Sequence, residues 1–299
     1  MSPKSNDPLV DAAAALIAGT KTGADPLIED ARALAQPAPP PRLRAIYHLA
    51  STGGTLIARA LSTMPNVTLL SELDPLSTLD RTKPHEVPDF RPLDLIWAAR
   101  NANRPVAPNV LEAAFRAALA EIFKGTTDLG RRLVIRGHPH SQFCTDVDPA
   151  SRPTLHAILE KVAPVQAVIT VRHPLDSLIS MRLHRFMHYV SAPEQDTADA
   201  YALRYHAFLD AHPGLPVLRY EDFVAAPDAS MAWLCDQLSL GFTPGVEALI
   251  RDMRLSGSSG RQGNTIAPRE RRPVDPELAA EIAQSASWAA LLDRLGYAE

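Results

Sequence analysis

The run Ala45–Leu61, AIYHLASTGGTLIARAL, decides how this chain folds. Ile46, Tyr47 and Leu49 read as a buried strand, and Thr52, Gly53, Gly54 and Thr55 as a short turn. Leu56, Ile57, Ala60, Leu61 and Met64 then recur at helical spacing. Strand, glycine turn and helix start together aim free backbone N–H groups and the positive helix end at an anion. Glycines let the main chain approach that anion closely, and threonine hydroxyls can add donors. The loop lacks the Gly-Lys-Ser/Thr ending of nucleotide kinases, because Gly54 is followed by Thr55 and Leu56. By itself the turn therefore reads equally as an ordinary strand-to-helix connection or as a phosphate site.

A second segment favours the phosphate site. Ala167–Val171 (AVITV) is a short β-branched run suited to a strand covered on both faces. It leads into RHPLDSLIS, Arg172–Ser180, with Pro174 and Asp176 as helix-start signals. Arg172 at the strand end and Ser180 two helical turns on could share one phosphate, by a guanidinium fork and a hydroxyl.

Together these segments resemble the sulfotransferase family, which uses 3′-phosphoadenosine 5′-phosphosulfate. There a first glycine loop holds the 5′-phosphosulfate, and a V-R-[NH]-P-x-D-x-x-x-S segment, matched by Arg172 and Ser180, holds the 3′-phosphate. Leu218–Pro227 (LRYEDFVAAP) resembles the family's R-Y-E-D-L-x-x-x-P, whose tyrosine, here Tyr220, lies near the adenine. Arg261, Gln262 and Gly263 resemble a late R-K-G that closes over the 3′-phosphate, and Ser256–Gly260 before them would form a flexible lid. The resemblance covers roughly residues 42–295. It implies an α/β fold with a mostly parallel central sheet flanked by helices, in a P-loop-like arrangement. It also implies Ser51, Thr52, Gly53, Gly54, Thr55 and Leu56 around the 5′ end, with 3′-phosphoadenosine 5′-phosphate as product and no metal.

Leu133–Ile135 reads as a further strand, followed by RGHPHSQF, Arg136–Phe143. Arg136 and His138 match the lysine and histidine of a K-[ST]-H-L-P segment in cytosolic members, whose histidine takes the acceptor proton. A near-neutral pKa suits histidine to that role, and His140 is an alternative base. His138 with His140 is also half of a metal site, without further ligands at standard spacing. The main departure lies at Ser51, where the family has lysine or arginine. Arg44, Arg59 or Arg136 could compensate. Two rival readings remain: a catalytically silent phosphoadenosine-binding scaffold, and an ATP-dependent P-loop kinase.

The 299 residues, 46% apolar, suffice for one large domain. A net charge of −4 gives no global field for nucleic acid or anionic membrane. Cys144 and Cys235 form no disulfide framework, which suits a reducing cytoplasm. Ala12–Ala18, preceded by Asp7 and Asp11, reads as an amphipathic helix rather than a signal peptide, and nothing approaches a membrane span. Residues 1–41 read as a helical appendage ending in the stiff QPAPPP linker, Gln36–Pro41, packed on the core or on a second subunit in a homodimer. The expected sulfotransferase-like domain is 42–299.

Val67–Leu70 reads as the strand closing the first βαβ unit, which puts Glu72 where a strand-end carboxylate could touch an acceptor. Residues 78–124, helical with proline interruptions, are where a small-molecule, glycan or peptide acceptor would dock. His184 and His188 share a helix face, read as a basic surface rather than half a zinc pattern. Helices are expected over Arg152–Val162, Thr197–His212, Ser230–Leu238, Pro244–Met253 and Pro276–Leu295. The basic cluster Arg269–Arg272 lies beside the expected lid, as a solvated turn or a reach toward the nucleotide.

Overall fold

A computed structural model describes residues 40–77, 94–100, 102–145, 148–183, 197–252 and 266–298. The chain divides into Met1–Pro41 and Arg42–Glu299, and every described strand and helix belongs to the second unit. The expectations placed on the N-terminal helices, His184, His188, the Ser256–Gly260 lid, Arg261 and Gly263 fall outside the described residues.

Five strands form one sheet: β1 (Leu43–Tyr47), β2 (Val67–Leu73), β3 (Arg132–Gly137), β4 (Val165–Val171) and β5 (Val217–Arg219). Their spatial order is β2-β3-β1-β4-β5, and every pairing is parallel. The connection after β1 runs toward β2 and the one after β4 toward β5, so β1 and β4 flank the point where the winding reverses. Open parallel sheets collect ligands at the carboxyl ends of such strands.

Strand parity builds both layers. Leu43, Ala45, Tyr47, Leu133, Ile135, Ala167, Ile169 and Val171 enter one core, with Phe208 and Trp288. Ile46, Val134 and Val168 enter the other, with Leu56, Ile57, Leu61, Phe223 and Met231. Leu56, Ile57 and Leu61 lie on α1 (Gly54–Ser62), each stabilising the packing by about 1.5–3 kcal/mol through apolar burial. Thus α1 covers the even-numbered side of β1 and β3.

The expected helices are present with shifted ends, and two short ones, His140–Phe143 and Tyr220–Ala225, were not expected. Between β2 and β3 lie α2 (Leu95–Arg100) and α3 (Pro108–Asp128). Then come α4 (His140–Phe143), α5 (Leu155–Glu160), α6 (Pro174–Leu183), α7 (Ala198–Asp210), α8 (Tyr220–Ala225), α9 (Pro227–Gln237) and α10 (Val246–Leu249). The single helix expected over Pro276–Leu295 is two, α11 (Pro276–Gln284) and α12 (Ala286–Leu295). Ser285 divides them: its hydroxyl accepts from Trp288 N at 3.0 Å and donates to Asp199 at 2.6 Å. β2 runs three residues beyond its expected end through a register shift between Leu70 and Leu73, with Glu72 at φ 59°. Among the described residues no helix is long and apolar enough to cross a membrane.

Candidate active site

Gly53 takes φ 85°, a left-handed turn open to glycine, and begins α1. Leu56 and Ile57 donate to the Gly53 carbonyl, so the Leu56 amide, expected to face the ligand, closes the first helical turn instead. Among the described residues the N–H groups of Gly53, Gly54 and Thr55 find no backbone acceptor, as expected of the orphan donors at a helix start. Thr52 is fully buried and donates its hydroxyl to Leu49 O at 2.8 Å, so it braces the turn rather than facing outward.

The centre of the site is Arg136, 2% exposed. Even parity on β3 points it, like Val134, toward α1. Its Nε donates to His48 Nε2 (2.9 Å), Nη1 to Ser71 Oγ (2.9 Å) and Nη2 to Thr55 Oγ1 (2.7 Å). Nη2 also pairs with Glu72 Oε1 at 3.0 Å. The guanidinium fork thus joins the ends of β1, β2 and β3 to the first turn of α1. Burial lowers the pKa of Arg136, and the Glu72 carboxylate opposes that shift.

His48 is the functional residue that the sequence reading missed. Two places after Ile46, it shares the α1 face, and its ring lies under Gly54. A Cβ at Gly54 would overlap that ring. Arg136 Nε donates to Nε2 while Nδ1 lies 2.9 Å from Leu49 O, an arrangement that fits the neutral, Nδ1-protonated tautomer. Burial first, then the Arg136 charge, pushes the His48 pKa down to about 3. We expect Gly54→Ala to cost roughly 1–3 kcal/mol by overpacking, and to be close to neutral when His48 is also alanine. Thermal unfolding of the four proteins checks this.

The three replacements weighed for the missing lysine now separate. Arg44 lies at the amino end of β1 and donates to Leu238 O (2.6 Å), Arg42 O and Ser239 O. Arg59 Nη2 donates to Ile250 O at 2.9 Å, on the outer side of α1. Of the three, Arg136 is the one that reaches the turn.

The second motif meets the first directly. Arg172 Nη1 donates to Ser51 O at 3.1 Å, and its guanidinium carbon stands 5.0 Å from the centre of the Tyr220 ring. The Tyr220 ring in turn packs on Gly53, where a Cβ would overlap it. Gly53, Tyr220, Arg172 and Ser51 therefore form one closed cluster across the β1/β4 switch point. Ser51 supplies its carbonyl at φ 62° rather than a cationic side chain. Among the described residues, Nε and Nη2 of Arg172 have no protein partner. Ser180 is half-buried on α6, and among the described residues no hydrogen bond joins it to this cluster. Arg271, from the basic run expected near the lid, ion-pairs with Asp176 at 3.4 Å on the same helix.

Beyond β3, His138 donates its backbone N–H to Leu73 O at 3.1 Å, and its ring meets that of His140 edge-on, with centroids 3.4 Å apart. Burial, reinforced by His138, His48 and Arg136, holds His140 well below the usual histidine range. Among the described residues, buried His140 Nδ1 has no hydrogen-bond partner. A small cavity beside His138 is walled by Tyr47, Leu73, Phe143, Leu155 and His212. The nearby Asp74 is committed to Arg152 by two bonds of 2.8 and 2.7 Å. Glu72, weighed as an acceptor contact, is instead the carboxylate on Arg136. Among the described residues no three His, Cys, Asp or Glu side chains converge on a metal position.

Buried neutral histidines also set the acid stability of the domain. His48 is lowered to about 3 and His212, mainly by burial, to about 4. Both take protons more readily when unfolded, near pH 6.5. Their contribution is complete above pH 6.5 and is lost as pH falls toward 4 and 3, at about 1.4 kcal/mol per pH unit for each. Urea midpoints between pH 7.5 and 5 should fall accordingly, with a shallower slope in His212→Phe.

The comparisons with known proteins bear on this geometry. The model of the sulfotransferase family matches residues 48–244, well over half of the chain. Among solved structures, the chain is similar to a sulfotransferase domain from the curacin biosynthetic pathway, at 16% identity and a TM-score of 0.51. That similarity covers 87% of this chain and 99% of that one. A sulfotransferase domain from the Synechococcus PCC 7002 olefin synthase gives 17% identity and a TM-score of 0.50, over 87% of this chain and 96% of that one. These likenesses show the α/β fold, and no curated protein matches by sequence. The family match spans His48, the glycine turn, Arg136, His138, Arg172 and Tyr220, and the chain belongs to the sulfotransferase family, enzymes that transfer sulfuryl groups.

Proposed function

We propose that the protein moves a sulfuryl group from 3′-phosphoadenosine 5′-phosphosulfate to a hydroxyl or amine of a small acceptor. The observation that carries this reading is the cluster at the switch point, where Arg172 is bonded to the loop whose amides start α1. The residues fit the nucleotide at two anionic ends. Gly53, Gly54 and Thr55 offer amides for the 5′ end, while Arg172 keeps two donors of its fork for the 3′-phosphate. Tyr220 presents its ring between them, as an adenine contact requires. Ser180, Arg261 and Gly263 complete the 3′ grip in this reading.

In the transfer, the acceptor oxygen forms a bond to sulfur as the bond from sulfur to the 5′-phosphate oxygen breaks. The acceptor proton goes to His138. Charge spread over the sulfuryl oxygens makes positioning and fixed positive potential the main contributions, here from the α1 amides and Arg136. His140 suits the base role less, because its depressed pKa makes it a poor proton acceptor.

Isothermal titration calorimetry tests the donor. 3′-Phosphoadenosine 5′-phosphate should bind far more tightly than ATP with magnesium. Tighter binding of magnesium ATP would instead support the kinase reading. Nucleotide binding without transfer to any acceptor in a broad screen would support the silent scaffold.

A further inference from the structure

The backbone of the Arg172 motif is held from outside the pocket by a chain of contacts that the reaction does not explain. Tyr205 OH accepts from Arg172 N at 3.3 Å and lies 3.4 Å from Arg172 O. The next amide, His173 N, donates to Glu221 Oε1 at 3.0 Å. Glu221 directly follows Tyr220, so one carboxylate ties the β4 motif to the β5 motif. Its second oxygen, Oε2, accepts from Tyr297 OH at 2.7 Å.

Tyr297 lies two residues beyond α12 and is itself clasped. Its ring stands 4.9 Å from that of His173 and 4.9 Å from the Arg219 guanidinium carbon. Arg219 Nη2 donates to Leu295 O at 2.5 Å, and His173 Nε2 lies 3.4 Å from Ala298 O. The segment after α12 therefore touches the residue that follows Arg172 and both residues that flank Tyr220, without facing the glycine turn.

We infer that Tyr297 is a positioning residue for the nucleotide: through Glu221 it fixes Arg172 and Tyr220 in register across the β4/β5 rim. The inference rests on the nucleotide reading above. A free carboxylate can rotate about its last bonds, whereas one whose two oxygens are separately bonded holds both partners at once. Loss of the Tyr297 hydroxyl frees Oε2, lets Glu221 turn away from His173 N, and loosens the arginine without altering any group that touches the ligand.

The test uses the full chain as wild type, Tyr297→Phe, Glu221→Gln and the double variant, each titrated with 3′-phosphoadenosine 5′-phosphate. Tyr297→Phe keeps the ring packing and loses one hydrogen bond, so its melting temperature without nucleotide should fall by only a few degrees. Its nucleotide affinity should fall up to roughly tenfold, because the loosened Arg172 must be ordered on binding, with kcat at saturating donor unchanged. The double variant should bind no more weakly than Glu221→Gln alone. Wild-type affinity in Tyr297→Phe, or losses that simply add in the double variant, would overturn the inference. Amide exchange at His173 decides the same point without any ligand. Faster exchange confined to residues 172–173 in Tyr297→Phe supports the latch, and unchanged exchange refutes it. Failure of wild type to bind the nucleotide is a separate outcome, which counts against the donor assignment while the exchange result still decides the latch.

Discussion

Arg136→Gln will remove most of the turnover and part of the stability together. The guanidinium contacts His48, Ser71, Thr55 and Glu72, and a glutamine amide can donate to at most two of these. Loss of the charge leaves the Glu72 carboxylate without its ion-pair partner. Breaking such a pair costs about 3–5 kcal/mol when fully buried, and less here because Glu72 is partly exposed. Loss of fixed positive potential at the reacting group should lower kcat by roughly 10²–10³. Arg136→Lys should not rescue, since a single ammonium cannot span β1, β2 and α1 as the planar fork does. Urea unfolding and steady-state kinetics read the two effects separately. Near-wild-type turnover in the lysine variant would show that only the charge matters.

His138→Ala should lower kcat by roughly 10²–10⁴ while leaving 3′-phosphoadenosine 5′-phosphate binding unchanged. His138 lies at the end of β3, away from the Arg172–Tyr220 cluster. Its substitution therefore spares the residues assigned to the nucleotide. His140→Ala should be far milder, because His140 is held neutral chiefly by burial, with the Arg136 charge nearby adding to the effect. A dead His140 variant beside an active His138 variant would exchange their roles. Equal loss of nucleotide binding in both would dissolve the division between base and binding residues.

Much of this arrangement was legible in the chain because it is local or periodic. The change from strand to helical period around Gly53 placed β1, the turn and α1 correctly, and the β-branched run before Arg172 placed β4. Arg136 was legible as a strand-end cation. Parity could have gone further, since Ile46 and His48 must share a face with Val134 and Arg136, yet a lone histidine after a strand carries no motif of its own. Arg44 was also separable in principle, because the first residues of a parallel strand lie opposite the ligand end. What sequence could not give was long-range. Nothing near Glu72 signals its left-handed backbone or the bulge that swings it onto Arg136. The Ser285 cap that divides α11 from α12 is a local signal, but its hydroxyl is also held by Asp199, 86 residues away on α7. The Tyr297–Glu221 bond joins positions 76 residues apart.

The central claim is that one adenosine ligand is gripped at two phosphates by opposite sides of the β1/β4 switch point. The most direct measurement compares the affinities of 3′-phosphoadenosine 5′-phosphate and adenosine 5′-phosphate for wild type and Arg172→Ala. If Arg172 holds the 3′-phosphate, its removal should weaken the bisphosphate by roughly 10–100-fold and leave the monophosphate almost unchanged. Equal losses for both ligands, or none for either, would contradict the two-ended grip.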